Sequence, residues 1–200
     1  MPKTTNEIQT LLELDRWDDL ETDISGWGAI RRVDIAPMAY EIEINAPLEG
    51  RRLQLVVDFA KPVKSEYINR LYGLCNGLRI GSKFAIYGLL NTYEDPEEIP
   101  LRGSTLDINI PNTYGFPEDL DNDVFIVGVG TEGGKGTDEI NSIHYMEIDG
   151  KVRVVDKLNV KQVLRSYEDV EVWLKNEFER ALADQTRFLR ILSPSTHPPV

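Results

Sequence analysis

The segment NSIHYMEIDGKVRVVD, residues 141–156, decides the predicted fold. Two stretches rich in apolar residues, 141–148 and 151–156, flank the dipeptide Asp149-Gly150. This dipeptide is typical of a tight type I′ hairpin turn, because both central positions of that turn need positive φ. A hairpin joins antiparallel strands, whereas parallel strands need a long crossover connection. The segment therefore predicts an antiparallel sheet.

Working outward, the sequence predicts further strands. Apolar and polar residues alternate in 38–45 and 51–59, which predicts a second hairpin, and 28–35 is predicted as another antiparallel strand. Residues 84–88 predict a short buried strand. The apolar run 124–129 predicts a central strand of the sheet.

Three segments show the spacing of amphipathic helices. The first is 4–23. The second starts at Ser65 and stops at Asn76-Gly77, where glycine suits a helix C-terminus. The third is predicted to start at Ser166 with Asp169 three residues on, a variant of the capping box. Its predicted buried stripe is Val170, Trp173, Leu174, Phe178 and Ala181.

The order of these elements predicts an α+β fold with an antiparallel, mixed-order sheet with hairpins. Helices pack on that sheet, and amphipathic helices stand at the N- and C-termini. A length of 200 residues favours one domain, which we place at 1–192, followed by a flexible Pro-rich tail at 193–200.

The charge excludes some classes of partner. Lys and Arg number 22 against 34 Asp and Glu, so the net charge is −12. Nucleic acids and anionic membranes are polyanions and would repel such a chain. No apolar run approaches the roughly 18 residues of a membrane span, and no apolar signal segment begins the chain. We therefore expect a soluble, cytoplasmic protein that binds neither nucleic acid nor membrane.

The single cysteine and the two histidines form no recognisable catalytic or zinc-binding motif. Cys75 is the single cysteine and occupies an apolar helical position, so we interpret it as a small buried hydrophobe. His144 lies mid-strand on the same face as Ser142 and Met146, and we expect a core or sheet-surface histidine. The other histidine, His197, lies in the Pro-rich tail. Two histidines and one cysteine are too few for a Cys/His zinc cage.

Residues 128–133 read GVGTEG and match the dinucleotide-binding fingerprint letter for letter. That fingerprint binds a pyrophosphate only where a helix N-terminus follows. Here Gly134, Lys135 and Gly136 follow, and then another strand is predicted. We interpret the segment as a turn between strands and expect no cofactor.

Acidic residues cluster in the irregular region 91–121 and just beyond it. Paired carboxylates bind Mg²⁺ or Ca²⁺ or serve a carboxylate-dependent hydrolase, and they also form solvated loops or recognition surfaces. We favour a solvated acidic loop over a catalytic or metal role, with a surface that complements a basic protein as a third interpretation, and predict no catalytic, cofactor or metal residues. The predicted partner-binding residues are Tyr93, Glu94, Asp95, Glu97, Glu98, Tyr114, Glu118, Asp119, Asp121 and Asp123.

Three ordered motifs support a resemblance to a known superfamily. They are YINRLYGLCNGLRIGSKFAIYG at 67–88, VFIVGVG at 124–130 with the hairpin IHYMEIDGKV at 143–152, and SYEDVEVWL at 166–174. Over about 62–182 the chain resembles the SUKH superfamily, which includes fungal cell-wall assembly regulators and many bacterial immunity proteins.

The resemblance implies a binding protein without catalysis. Bacterial members of the superfamily look like antidotes that dock on a toxin, often a nuclease, and block its active site. An acidic face can mimic the phosphate backbone that a nuclease attracts. We therefore expect an immunity protein that neutralises a basic toxin domain. A regulatory or scaffold module without a toxin target, and a carboxylate-dependent hydrolase, are the alternatives.

Overall fold

The computed structural model describes residues 8, 10–12, 21–22, 28–35, 38–45, 47–89, 107–132 and 140–192. For 21–22, 28–35, 38–43 and 184–192 the description covers the backbone alone. Within these residues one antiparallel sheet carries three helices on one face and an irregular segment on the other. None of the described helices is long and apolar enough to cross a bilayer.

The described sheet has nine strands. They are β1 (Glu21–Thr22), β2 (Gly28–Ile35), β3 (Met38–Asn45), β4 (Leu78–Ile80), β5 (Phe84–Ile86), β6 (Phe125–Gly130), β7 (Ser142–Met146), β8 (Val152–Asp156) and β9 (Val163–Tyr167). Each strand pairs antiparallel with the next in the chain. The antiparallel sheet is thus confirmed, but the predicted mixed order is wrong, because spatial order among the described strands follows chain order.

The helices are α1 (Gly50–Phe59), α2 (Ser65–Leu74) and α3 (Val170–Leu192), and a short π-helical turn covers Ile110–Tyr114. The predicted strand at 51–59 is wrong. Val56, Val57 and Ala60 are buried on one side of α1, whereas Leu55 and Phe59 of the predicted strand face are 45% and 37% exposed. The apolar residues of this segment fit both an alternating pattern and a helical pattern. In the structure the residues at helical spacing are the ones that pack into the core.

The start of α3 also differs from prediction. Ser166 lies in β9, so it does not cap the helix. Asp169 is the capping residue, since its Oδ1 accepts hydrogen bonds from the backbone N–H of Glu171 and Val172 at 2.9 Å each. The predicted stripe is confirmed in its described part: Val170, Trp173, Leu174, Phe178 and Ala181 are all at most 3% exposed.

The hairpin at β7 and β8 forms as predicted, with a different turn. The backbone N–H of Gly150 donates to the carbonyl of Glu147 at 2.9 Å, so Ile148 and Asp149 are the central residues. Gly150 follows them with φ of 87°. Positive φ after the turn is typical of longer hairpin loops, whereas the predicted two-residue turn would centre it on Asp149-Gly150.

The ends of the chain lie largely outside the described residues. Of the predicted helix 4–23, residues 8, 10 and 11 are helical, and Ile8 and Leu12 are buried. The strand β1 stands where that helix was predicted to end. The tail 193–200, including His197, lies outside the description.

Two cores result. The larger lies between the sheet and the helices and includes Ile68, Phe84, Met146 and Trp173. Cys75 belongs to it and is fully buried, as predicted, and burial raises the pKa of its thiol to about 12. The smaller core lies on the other face, where Leu120 packs against Ile126, Ile143, Tyr145 and Val155.

Candidate functional site

The most concentrated group of charges in the described residues lies beneath α3. Glu177 of α3 is fully buried. Its Oε1 accepts hydrogen bonds from the Nε of Arg165 at 2.6 Å and the hydroxyl of Tyr167 at 2.7 Å. Its Oε2 accepts from the Nε and Nη2 of Arg180 at 2.8 and 2.6 Å. Every oxygen of this buried carboxylate therefore has charged or hydroxyl donors.

Glu132, which follows β6, completes the group. Arg165 donates from Nη1 to its Oε2 at 2.8 Å, and Arg180 donates from Nη1 to the carbonyl of Thr131 at 3.1 Å. The two glutamates and two arginines balance in charge. They join the loop after β6, the middle of β9 and the interior turns of α3 into one network.

His144 of β7 lies next to this network and is fully buried, as expected of a core histidine. The indole Nε1 of Trp173 donates to its Nδ1 at 3.0 Å, and the Oγ of Ser142 lies 3.3 Å from its Nε2. Because Nδ1 accepts, the proton of the neutral ring is on Nε2. Phe84 packs against the same ring, with 5.4 Å between centroids.

The pKa values follow from burial and from these partners. Burial lowers the pKa of His144 to about 4, although the charge of Glu177 acts in the opposite direction. Burial works to raise the pKa of Glu177, but His144, Arg165 and Arg180 together with Tyr167 lower it to about 2. Near neutral pH the histidine is therefore neutral and the carboxylate ionised.

A metal is the obvious occupant to test, since ligand atoms of Glu132, His144 and Glu177 lie within 4.8 Å of one another. The donor set does not fit one. Two guanidinium groups already occupy the carboxylate oxygens, and Nδ1 of His144 is engaged by Trp173. A cation there would have to displace both arginines. We interpret the group as a structural ion network.

The predicted acidic surface is described in part. Tyr114 is 85% exposed, and Glu118, Asp119, Asp121 and Asp123 are all exposed. We call residues 114–123 the acidic loop. The other predicted residues, Tyr93, Glu94, Asp95, Glu97 and Glu98, lie outside the described residues.

The acidic loop is held at both ends. Before it, Ile108 is fully buried and its N–H donates to the carbonyl of Gly88 at 3.0 Å. The Asn112 side chain accepts from the N–H of Ile126 at 2.8 Å and donates to its carbonyl at 2.9 Å, as a neighbouring strand would. Within the loop Leu120 is buried in the smaller core.

A π-helical turn sets the direction of the loop. The N–H of Gly115 donates to the carbonyl of Ile110 at 2.8 Å, five residues back. Such turns occur frequently at functional sites. Here the turn directs two apolar side chains outward, Ile110 at 56% exposed and Tyr114.

The Gly-rich motif forms no helix-capped phosphate site in the described residues. Gly128 and Gly130 lie in β6, and the next described element is the antiparallel strand β7. The prediction of a turn is wrong for 128–130, which belong to β6, and residues 133–139 lie outside the described residues. Both glycines lack room for a Cβ atom, which at Gly128 would lie 2.7 Å from the carbonyl oxygen of Ala85.

A shallow cleft of about 230 Å³ opens beside the β4–β5 turn. Its lining includes Phe84, Ala85, Val129 and Ile140, and Arg79 is the titratable residue among the described lining residues. One guanidinium on an apolar wall supplies no acid–base pair.

The ion network was missed by sequence reasoning, although a signal for it was present. Glu177 is four residues after Trp173 and three after Leu174, so it lies on the buried stripe of α3. A carboxylate in that position needs cationic partners. The sequence did not show that Arg165 would come from a strand, because Ser166 was assigned to the helix.

Comparison with known proteins gives no match: no family model, curated protein or solved structure matches this chain.

Proposed function

We propose that this chain is a non-enzymatic protein-binding domain of the immunity type, which neutralises a basic toxin domain by docking on it. The observation that carries the proposal is the acidic loop, where a nearly fully exposed tyrosine stands beside four exposed carboxylates on an anchored backbone.

Anchoring supports a binding role. A loop that is ordered before binding loses less conformational entropy on docking. The two hydrogen bonds between Asn112 and Ile126 and the burial of Leu120 hold this loop. Tyrosine is enriched among the residues that contribute most to interfaces, and Tyr114 projects from the loop.

The charge of the loop supports a basic partner. Asp119 makes one loose surface pair, 3.7 Å from the Nζ of Lys161, with both side chains 77% exposed. Such a pair costs little to break, so the carboxylate is available to a partner. Four carboxylates on a chain of net charge −12 attract a basic surface and speed its association.

The buried titratable groups support binding over catalysis. The carboxylates of Glu132 and Glu177 are held by two arginines, and both ring nitrogens of His144 face Trp173 or Ser142 inside the core. A general base must reach the proton it removes from a substrate.

The first experiment compares two variants of equal charge as baits. In the loop variant, Glu118→Gln, Asp119→Asn, Asp121→Asn and Asp123→Asn remove four charges. In the matched control, Glu49→Gln, Asp58→Asn, Glu66→Gln and Glu179→Gln remove four exposed charges elsewhere. A partner captured by wild type is purified, and its association rate with each variant is measured at several salt concentrations.

We expect the loop variant to associate about 10-fold more slowly at low salt, with the control much closer to wild type. Tyr114→Ala should raise the dissociation rate. Co-expression with the captured partner should rescue growth for wild type and fail for the loop variant carrying Tyr114→Ala. Equal rates for the two charge variants would overturn the placement on the loop. A non-toxic partner bound through the loop would overturn the immunity role and keep the binding role.

A further inference from the structure

The strand β9 forms one edge of the described sheet. It pairs with β8, and no other described strand pairs with it. It is also unusually open: Val163 is 45% exposed and Ser166 is exposed, whereas all five residues of β7 are buried. An open edge presents unpaired backbone donors and acceptors to another strand.

The register shows which backbone groups point outward. The backbone N–H of Lys157 donates to the carbonyl of Asn141, and the N–H of Glu147 donates to the carbonyl of Lys151. Because hydrogen-bonded pairs alternate along an antiparallel pair of strands, the N–H and C=O of every second residue of β8, including Arg153, point toward β7. Arg153 stands opposite Ser166 in the β8–β9 register. Ser166 is therefore in a non-hydrogen-bonded pair with β8, and its N–H and C=O point away from the sheet.

Charge along this edge is polarised. Lys157 and Lys161 are exposed just before β9, and Glu168 and Asp169 are exposed just after it. Lys161 makes a loose surface pair with Asp119 at 3.7 Å and Glu168 makes one with Lys151 at 3.5 Å, and such pairs cost little to exchange for a partner's charge. In an antiparallel pairing of two such edges, the basic end of each copy meets the acidic end of the other. In a parallel pairing, like charges would meet.

We propose that β9 pairs antiparallel with β9 of a second copy of this chain, forming a two-fold dimer with one continuous sheet. The contact is self-complementary, as a two-fold interface requires. Backbone hydrogen bonds around Ser166 supply the strand addition, and Val163 adds an apolar contact. The charged ends select the orientation more than they add affinity.

Two chains of net charge −12 repel each other at long range. At about 0.15 M salt this repulsion is screened beyond roughly 8 Å. The oppositely charged side chains at the two ends of the β9–β9 contact are closer than that, so their attraction is screened less. The dimer is therefore expected to strengthen from low to moderate salt. This edge meets the acidic loop at one loose ion pair, since the Nζ of Lys161 lies 3.7 Å from the Oδ1 of Asp119. Tyr114→Ala and Ser166→Pro leave that pair in place, so these two variants separate the two proposals.

The test measures oligomeric state by sedimentation velocity up to about 0.5 mM chain, where a contact with a dissociation constant of 1 mM is detectable. Ser166→Pro removes the outward N–H and leaves the bonds to β8, which is where edge strands tolerate proline. We expect it to weaken dimerisation at least about 10-fold. Circular dichroism and thermal unfolding check that the variant is folded.

A charge swap tests the orientation independently of the proline. Lys161→Glu and Glu168→Lys should each weaken the dimer several-fold, since two like pairs appear per dimer. The double variant should return to within about 3-fold of wild type. Glu179→Lys, on the exposed side of α3, is the control and should leave dimerisation unchanged. A monomeric wild type, or a dimer that none of the β9 variants weakens, would overturn the proposal.

Discussion

The indole N–H of Trp173 on α3 donates to the ring nitrogen Nδ1 of His144 on β7 at 3.0 Å, and both side chains are fully buried. This bond joins α3 to β7, an interior strand of the described sheet. It also sets the tautomer of the histidine, because a nitrogen that accepts carries no proton. A buried neutral histidine makes the stability of the fold depend on pH.

The free energy of unfolding should fall as pH falls from about 6.5 toward 4. The folded pKa of His144 is about 4 and its ordinary value is 6.5, so the unfolded chain takes up the proton first. The contribution of neutral His144 to the free energy of unfolding is fully present above pH 6.5. Between pH 7 and pH 5 the loss should be about 2 kcal/mol, and urea unfolding at a series of pH values measures it.

The variant His144→Gln provides the control for this pH dependence. It should be less stable at pH 7, yet its stability should change much less between pH 7 and 5. The ionised Glu177, with a pKa of about 2, contributes its own loss only below about pH 4.5. An unchanged slope in the variant would show that another group causes the effect.

Glu177→Gln should destabilise the fold by about 3 kcal/mol, because it leaves two arginines near the core without a fully buried counter-charge. Glu132→Gln in the same network should cost about 1 kcal/mol, since the Glu132 side chain is 23% exposed and water replaces its charge in part. Chemical denaturation of both variants measures the difference. Equal losses would contradict the network as described.

Gly130→Ala should destabilise the fold by about 3 kcal/mol, because the added Cβ would lie 2.9 Å from both His144 Nε2 and Ser142 Oγ. Gly73→Ala is the matched control in α2, where a Cβ meets nothing within 4 Å. It should stabilise the helix by about 0.5–1 kcal/mol. Thermal unfolding measures both changes, and a harmless Gly130→Ala would mean that the strands have room to separate.

Asn112→Ala should release the acidic loop and lower stability by about 2 kcal/mol, because the N–H and C=O of Ile126 lose their partner. Amide exchange at Ile126 should become faster. The neighbouring Thr113→Ala, at an exposed position, should leave both unchanged. Slow exchange at Ile126 in Asn112→Ala would mean that the loop is held by its apolar contacts alone.

Local patterns predicted much of the fold. The strands at 28–35 and 38–45, the helix from Ser65 and the hairpin around Gly150 all form. These elements have one dominant period or an unambiguous turn residue, so local propensity and burial agree. The exposed part of the acidic loop was predictable for the same reason, since charged residues without apolar spacing stay in solvent.

The segment 51–59 was mispredicted because its sequence satisfies two periods. Leu53, Leu55 and Val57 alternate as in a strand, whereas Leu53, Val56 and Val57 fit one face of a helix. Whether such a segment forms a strand or a helix depends on which neighbouring elements can pair with it or pack against its apolar residues. Here β3 already pairs with β4, and α1 packs beside α2.

The sequence by itself determined that the chain is acidic, that it forms an antiparallel sheet with helices, and that Trp173 and Phe178 enter the core. Composition and short-range periodicity carry that information. Only the tertiary structure decided which residues meet across long separations: that Arg165 and Arg180 enclose Glu177, that Trp173 bonds His144, and that β9 lies at an edge of the described sheet. The physical reason is that these contacts join residues from different elements, and their free energy exists only once the elements have packed together.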